Sequence, residues 1–97
     1  MEDFTFTAEL WRWSGDAAWR FVSVPSDLAE EIRIVSGPPR GFGSVRVEVT
    51  VGATTWRTSV FPDSTAGTYI LPMKKAVRVA EGLEDGDEVA VTLRLVD

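Results

Sequence analysis

Tryptophans and arginines recur together in the first two thirds of the chain, and their chemistry suits ligand binding. The residues are Trp11, Trp13, Trp19, Arg20, Trp56 and Arg57. An aromatic wall with interspersed guanidinium groups can stack a planar or sugar-like ligand. The alternative is that these rings pack inside the domain, with one face of the first strand pair in the core and the other under a helix. The sequence leaves both interpretations open.

Three basic residues form a second candidate site, of a different kind. Lys74 and Arg78 are four residues apart, so they share one side of a predicted helix, and Lys75 adjoins them. This pattern indicates contact with a phosphate, another anion or nucleic acid. Alternatively it is a solvated helix face, since cations favour the C-terminal end of a helix. DNA sites use about six to ten phosphate contacts, so three cations in a chain of net charge −5 argue against nucleic acid.

Several chemistries lack the residues that they need. Cysteine and histidine are absent, which excludes disulfides, thiolate metal sites, cysteine nucleophiles and the Ser-His-Asp arrangement. The carboxylates from Glu81 to Glu88 lack the spacing of a calcium loop. The segment Gly41-Phe42-Gly43 precedes a strand and lacks a phosphate-binding lysine. We therefore predict no catalytic residue, no metal and no cofactor.

The elements that position these residues follow from hydrophobic periodicity. Alternation with period two predicts strands over 4–13, 17–24, 44–51, 54–61, 68–71 and 88–96. The first two are expected to pair as a hairpin, and so are the third and fourth. Loops are predicted at 37–43 and 62–67, where glycine and proline cluster.

Two short helices are predicted between the strands. The first follows Pro25, is capped by Ser26 or Asp27, and buries a stripe of three residues. That stripe is Leu28, Ile32 and Val35. The second begins at Pro72 and ends at Gly82, which suits the left-handed cap position, with Leu83 making the accompanying apolar contact. Its predicted buried stripe is Met73, Ala76, Val77 and Ala80.

A strand–proline–helix pattern occurs twice. Val22-Ser23-Val24-Pro25 leads into the first helix, and Tyr69-Ile70-Leu71-Pro72 leads into the second. If this is a structural duplication, halves at about 4–51 and 53–96 pack around a pseudo-twofold axis and close a barrel within one chain. A monomer would then suffice, and no strand edge would be exposed. Chance is the alternative, because this is a common way to leave a sheet.

Longer segments carry a family resemblance. Trp19–Pro25, Val45–Val47, Trp56–Pro62, Gly67–Arg78 and the closing Gly82–Val89 resemble a bacterial family of domains of unknown function, numbered nineteen-oh-five. The resemblance covers nearly the whole chain. It implies a double-split β-barrel built from two similar halves, with no assigned activity.

The stretch from Pro72 to Val91 also resembles AbrB- and MazE-type transcription regulators. Those proteins carry Leu-Pro, a basic helix, Gly-Leu, Gly-Asp and a strand, and they bind DNA as interleaved dimers. This resemblance implies a nucleic-acid contact through clustered basic residues, which here are Lys74, Lys75 and Arg78.

Together these observations predict one domain, 1–97, mostly β with two short helices, in a double-split β-barrel with a pseudo-twofold axis. The predicted function is a non-catalytic binding or interaction module that contacts a small molecule or a protein through the tryptophan–arginine surface or the 62–67 loop. The alternatives are an AbrB-like regulator and a small enzyme with an unrecognised site. Without a secretory signal or an apolar run of about 18 residues, we expect a cytoplasmic monomer that does not contact a membrane.

Overall fold

One antiparallel sheet, curled into a half-barrel, organises the protein. The computed structural model describes residues 3–15, 18–37 and 43–96. Within these ranges the elements are β1 (Asp3–Glu9), β2 (Trp11–Arg12), β3 (Arg20–Ser23), α1 (Ser26–Ser36), β4 (Val45–Val51), β5 (Thr54–Asp63), β6 (Thr68–Pro72), α2 (Lys75–Glu81) and β7 (Glu88–Leu95). The prediction of a mostly β chain with two helices is confirmed.

The strand order is β1-β7-β4-β5-β6-β3-β2. The two edge strands, β1 and β2, are consecutive parts of one extended segment. Leu10 separates β1 from β2, and its backbone N–H donates to Asp87 O at 2.8 Å. Before this point the segment pairs with β7, and after it Trp11 and Arg12 pair with β3. The predicted hairpin of the first two strands is therefore wrong over 3–9, because β7 occupies that partner position.

The pairing pattern has the predicted pseudo-twofold symmetry. The series β1/β2, β3, α1, β4 corresponds in order to β5, β6, α2, β7. Exchanging the two series turns the β1–β7 pairing into β5–β4, and β2–β3 into β5–β6. The β4–β7 and β3–β6 pairings map onto themselves. The double-split arrangement is thus confirmed, while the limits of the domain and of its halves stay a prediction.

The core lies on the concave side of the sheet, where alternate residues of β1, β4 and β7 are buried. This alternation was predictable in β1 and the adjoining Leu10, in β4 and in β7, and the structure confirms it for nine residues. They are Phe4, Phe6, Leu10, Val47, Val49, Val51, Val89, Val91 and Leu93. Burial of this apolar face drives folding at roughly 25 cal/mol per Å² removed from water.

The first helix differs from its prediction at both ends. Pro25 precedes α1, and no side chain caps it, so the proposed caps Ser26 and Asp27 are wrong. The helix packs against β6, with Ala29 and Ile32 fully buried. Val35 was predicted to be buried but is 51% exposed, because it lies one turn beyond that contact.

The second helix begins three residues later than predicted. Pro72 ends β6 opposite Phe21, and Met73 N–H donates to Arg20 O at 2.9 Å, so pairing with β3 keeps the chain extended. Of the predicted stripe, Met73 and Val77 are buried, whereas Ala76 and Ala80 are exposed.

The C-terminal end of α2 matches its prediction. Gly82 has φ +64° and donates to Val79 O, while Leu83 N–H donates to Arg78 O and its side chain packs against the core. Glycine is favoured at a position with this left-handed conformation, because it has no Cβ to clash with the backbone.

Of the two predicted loops, one is shorter than expected and the other lies mostly outside the described residues. β5 extends to Asp63 and so into the predicted 62–67 loop, which leaves only a turn at 64–67 before β6 begins at Thr68. Residues 38–42, the centre of the other predicted loop and most of Gly41-Phe42-Gly43, lie outside the described residues. In the described chain neither helix is long and apolar enough to cross a membrane.

Glu81, the last residue of α2, contacts the turn between β4 and β5 through its side chain. Thr54 Oγ1 donates to Glu81 Oε2 at 2.5 Å. Gly52 lies beneath the same carboxylate with φ +58°. The backbone angle favours glycine here, and a methyl group on Gly52 would overlap Glu81 Oε1, so a larger residue has to displace the Glu81 side chain.

Candidate functional site

The convex face of strands β2, β3, β6 and β5 carries large apolar side chains. Residues that pair directly across an antiparallel sheet point to the same face. Trp11 pairs with Phe21, and Phe21 with Pro72, which makes one row across three strands. Ile70 and Phe61 pair in the next row. Each row lies opposite the core side of the sheet, so its side chains face outward.

A third row lies beyond the first. Trp13 N–H donates to Trp19 O at 3.1 Å, which places these two residues side by side. The Trp19 ring stacks on Phe21, with centroids 5.9 Å apart and planes 8° apart. Trp11 lies 5.1 Å from Phe21 on another side, and its Nε1 donates to Ser23 Oγ at 3.0 Å. Phe21 is therefore buried between two tryptophans.

These rows enclose a groove of about 520 Å³, which we call the aromatic groove. Its rings are Trp11, Trp13, Trp19, Phe21 and Phe61. Trp13 is 48%, Trp19 49% and Phe61 41% exposed, so three rings present large faces to solvent. The volume lies within the range of about 300–1,000 Å³ that small-molecule sites occupy.

Asp63 and Ser64 form the polar end of the aromatic groove. Asp63 Oδ1 accepts the backbone N–H groups of Thr65 and Ala66 at 3.2 and 3.4 Å. This carboxylate therefore stabilises the turn that follows β5, in the manner of an Asx turn.

A second pocket of about 620 Å³ adjoins the groove and shares Trp19 and Pro72 with it. We call it the cationic pocket, because four basic residues line it. They are Arg20, Lys74, Lys75 and Arg78. The β3–β6 register explains the adjacency, since continuing it two residues past the Pro72–Phe21 pair places Lys74 opposite Trp19.

The basic residues of the cationic pocket differ in their partners. Arg20 Nε forms an ion pair with Asp85 Oδ1 at 2.5 Å, and Arg78 Nε donates to Met73 O at 2.9 Å. Over residues 3–15, 18–37 and 43–96, no ion pair involves Lys74, Lys75 or Arg78.

The structure separates the residues of the first predicted site. Trp11, Trp13 and Trp19 gather in the groove, and Arg20 lies in the adjoining pocket. Trp56 and Arg57 belong to neither. Trp56 pairs with Val49 and is half-buried against the core. Arg57 is exposed and faces Glu48 across the sheet, at 3.6 Å.

Sequence reasoning missed four walls of the groove, which are Phe21, Phe61, Ile70 and Pro72. Phe21 could have been found, because it is two residues from Trp19 on one strand and so shares its face. Phe61, Ile70 and Pro72 could not, because their places follow from the β5–β6–β3 order. The expected covering helix is not among the groove walls, to which neither α1 nor α2 contributes.

The carboxylates between Glu81 and Glu88 take structural roles. Glu81 accepts from Thr54, Asp85 pairs with Arg20, and Asp87 Oδ2 accepts Glu84 N–H at 2.8 Å. Among the described residues, no three acidic side chains are grouped to hold a metal ion.

Comparison with known proteins identifies a family without an assigned activity. No protein of curated function matches the chain significantly. The family model described as Domain of unknown function (DUF1905) matches residues 6–93. That match runs from β1 into β7, so it includes the strands that build the groove and the helix beside it. The chain therefore belongs to the DUF1905 family.

Proposed function

We propose that this domain is a non-catalytic binding module, and that its aromatic groove takes the planar ring of a small molecule by stacking. The observation that carries the proposal is the exposure of Trp13 and Trp19, each about half accessible, on the convex face of a sheet. Contiguous apolar surface of this kind, bordered by polar groups, is typical of interaction sites.

The geometry of the rings favours a planar ligand. Trp19 is held by its stacking on Phe21, and Trp11 by its hydrogen bond to Ser23, so the floor of the groove is formed before a ligand arrives. A preformed site avoids the entropic cost of ordering side chains on binding. Stacking on such a ring contributes about 1–3 kcal/mol, as measured for nucleic-acid bases.

The polar residues of the groove support binding better than bond making. Asp63 and Ser64 line one end, and Asp63 Oδ1 already accepts two backbone N–H groups. A carboxylate held in this way is suited to orienting a ligand. The size of the groove, about 520 Å³, suits a molecule of two or three fused rings better than a folded partner.

The test uses the four tryptophan indole N–H signals in a ¹H–¹⁵N NMR spectrum, with 2-naphthamide as a neutral planar probe. We expect saturable shifts of the Trp13 and Trp19 signals, and little change at Trp56, which lies outside the groove. Trp19→Ala should weaken binding at least about fivefold, because it removes one stacking surface. The matched control, Trp56→Phe, should leave the affinity unchanged.

Three results would overturn the proposal. The first is the absence of saturable shifts at millimolar probe. The second is a sedimentation profile showing dimers that Trp19→Ala dissociates, since the groove would then join two copies of the chain. The third is salt-sensitive binding of duplex DNA that displaces the probe, which would favour the regulator that the Pro72–Val91 resemblance implies.

A further inference from the structure

We infer that the ligand of the aromatic groove carries an oxyanion, such as a carboxylate or phosphate, next to its planar ring, and that Lys74, Lys75 and Arg78 bind this group. The inference rests on the proposed function of the groove. In this view the aromatic groove binds the ring of the ligand, and the cationic pocket binds the oxyanion of the same ligand.

The first support is the direct contact between the two pockets. Trp19 and Pro72 line both, so a ring stacked on Trp19 has the cationic pocket at its edge. The row formed by Trp13 and Trp19 continues, just past the end of β6, to Lys74, which is in the extended conformation with φ −64° and ψ 156°. An anionic substituent in that row would meet the lysine ammonium group.

The second support is the state of the basic side chains. The chain carries net charge −5, which would supply partners for isolated cations, yet in the described residues none pairs with the lysines of this pocket. Arg78 is held through Nε by Met73 O, an arrangement that fixes the position of its guanidinium group. A guanidinium fixed in place and two ammonium groups without an ion pair in the described residues form a suitable receptor for an oxyanion.

The third support is the charge polarity along the groove. Asp63 lies opposite Thr68 in the antiparallel pairing of β5 with β6, and Thr68 lies six residues before Lys74. At about 3.3 Å per residue, the acidic and basic ends are about 20 Å apart along the strand. Asp63 would repel an anion placed at the wrong end, so the two ends together specify one orientation of the ligand.

The experiment compares 2-naphthoate with 2-naphthamide, which has the same ring and nearly the same size but no charge. We expect 2-naphthoate to bind at least about fivefold more tightly at low salt, because exposed ion pairs contribute up to about 1 kcal/mol each. This advantage should shrink as salt rises. It should fall markedly in the double variant Lys74→Gln/Lys75→Gln, in which Arg78 remains as the one cation assigned to the oxyanion, while the affinity for 2-naphthamide is kept.

The matched control is Arg46→Gln/Arg57→Gln, which removes the same number of charges from exposed positions outside both pockets. It should retain the preference for 2-naphthoate. Equal loss in the two double variants would overturn the inference, since the effect would be one of overall charge. Equal affinity of the wild type for both probes would also overturn it, while leaving the groove as a binding site. Failure of both probes to shift Trp13 and Trp19 would reject the proposed function as well.

Discussion

The contact between Gly52 and Glu81 predicts an energetic coupling between the β4–β5 turn and the end of α2. A methyl group on Gly52 would lie 2.8 Å from the Glu81 carboxyl carbon and overlap one of its oxygens. Gly52→Ala must therefore displace the Glu81 side chain, and with it the hydrogen bond from Thr54 at 2.5 Å. The substitution thus combines backbone strain with the loss of a polar contact between distant segments.

Both penalties have known magnitudes. A non-glycine residue held at positive φ costs about 1–3 kcal/mol, and alanine recovers about 0.4–1 kcal/mol by restricting the unfolded chain. A hydrogen bond to a charged acceptor contributes about 1.5–3 kcal/mol, and the lower figure suits this partly exposed pair. We expect Gly52→Ala to lower the free energy of unfolding by about 3 kcal/mol in the wild type, and by about 1.5 kcal/mol in a Glu81→Ala background.

Urea denaturation followed by tryptophan fluorescence and circular dichroism measures this difference on four proteins: the wild type, the two single variants and the double variant. The expected coupling is about 1.5 kcal/mol. Gly67→Ala is the control for strain, because Gly67 has φ +69° and no atom within 4 Å of the new methyl group. If Gly52→Ala costs the same with and without Glu81, the carboxylate does not connect the turn to the helix, and the reasoning is refuted.

Two further predictions concern the core and the groove wall. Leu71→Ala should lower the free energy of unfolding by about 2–5 kcal/mol, because Leu71 is fully buried, whereas Val35→Ala on the exposed end of α1 should change it by less than about 0.5 kcal/mol; urea denaturation that finds equal costs would contradict the burial assignment. Gly15→Ala would place a methyl group 2.7 Å from Trp13 Cζ2, so it should shift the Trp13 indole signal and change the affinity for 2-naphthamide, and an unchanged spectrum would show that the ring does not lie over Gly15.

The sheet was largely predictable because each strand obeys a local rule. Val47, Val49 and Val51 alternate with polar residues, and burying one face of a sheet requires such alternation. The repeat of strand, proline and helix also predicted the pseudo-twofold fold. Each of these patterns is formed by residues that are close in the sequence. Each can therefore be recognised without knowing which segment packs against it.

The errors arose where a distant partner decided the outcome. Pro72 suits the first turn of a helix, but the hydrogen bond from Met73 to Arg20 holds that segment in the sheet. Val35 continues the apolar spacing of α1, yet the sheet contacts only the earlier turns. No rule of spacing contains these contacts, because they join residues far apart in the sequence.

The same limit explains the candidate site. Three tryptophans could be named from composition and alternation, and they do lie together. That Trp56 belongs to a different surface, and that Lys74 adjoins Trp19, follow from strand order and register. The sequence therefore pointed to residues of which several lie close together, but it could not show which of them are neighbours, and their role in binding stays a prediction.

The division of the first extended segment between β7 and β3 has a consequence for how the chain acquires its structure during synthesis. Phe4 pairs with Leu93, so within this domain the first strand to be synthesised cannot pair until the last strand has been made. Until β7 is present, the phenylalanines of β1 lack their neighbours in the core. The edges of β1 and β4 that β7 will occupy are also unpaired, so other chains can aggregate on them. Such pairing between remote segments slows folding, because much of the chain must be ordered before β7 can pair with β1. This small protein is thus expected to fold more slowly than its length alone suggests, and to depend on its final strand for completion.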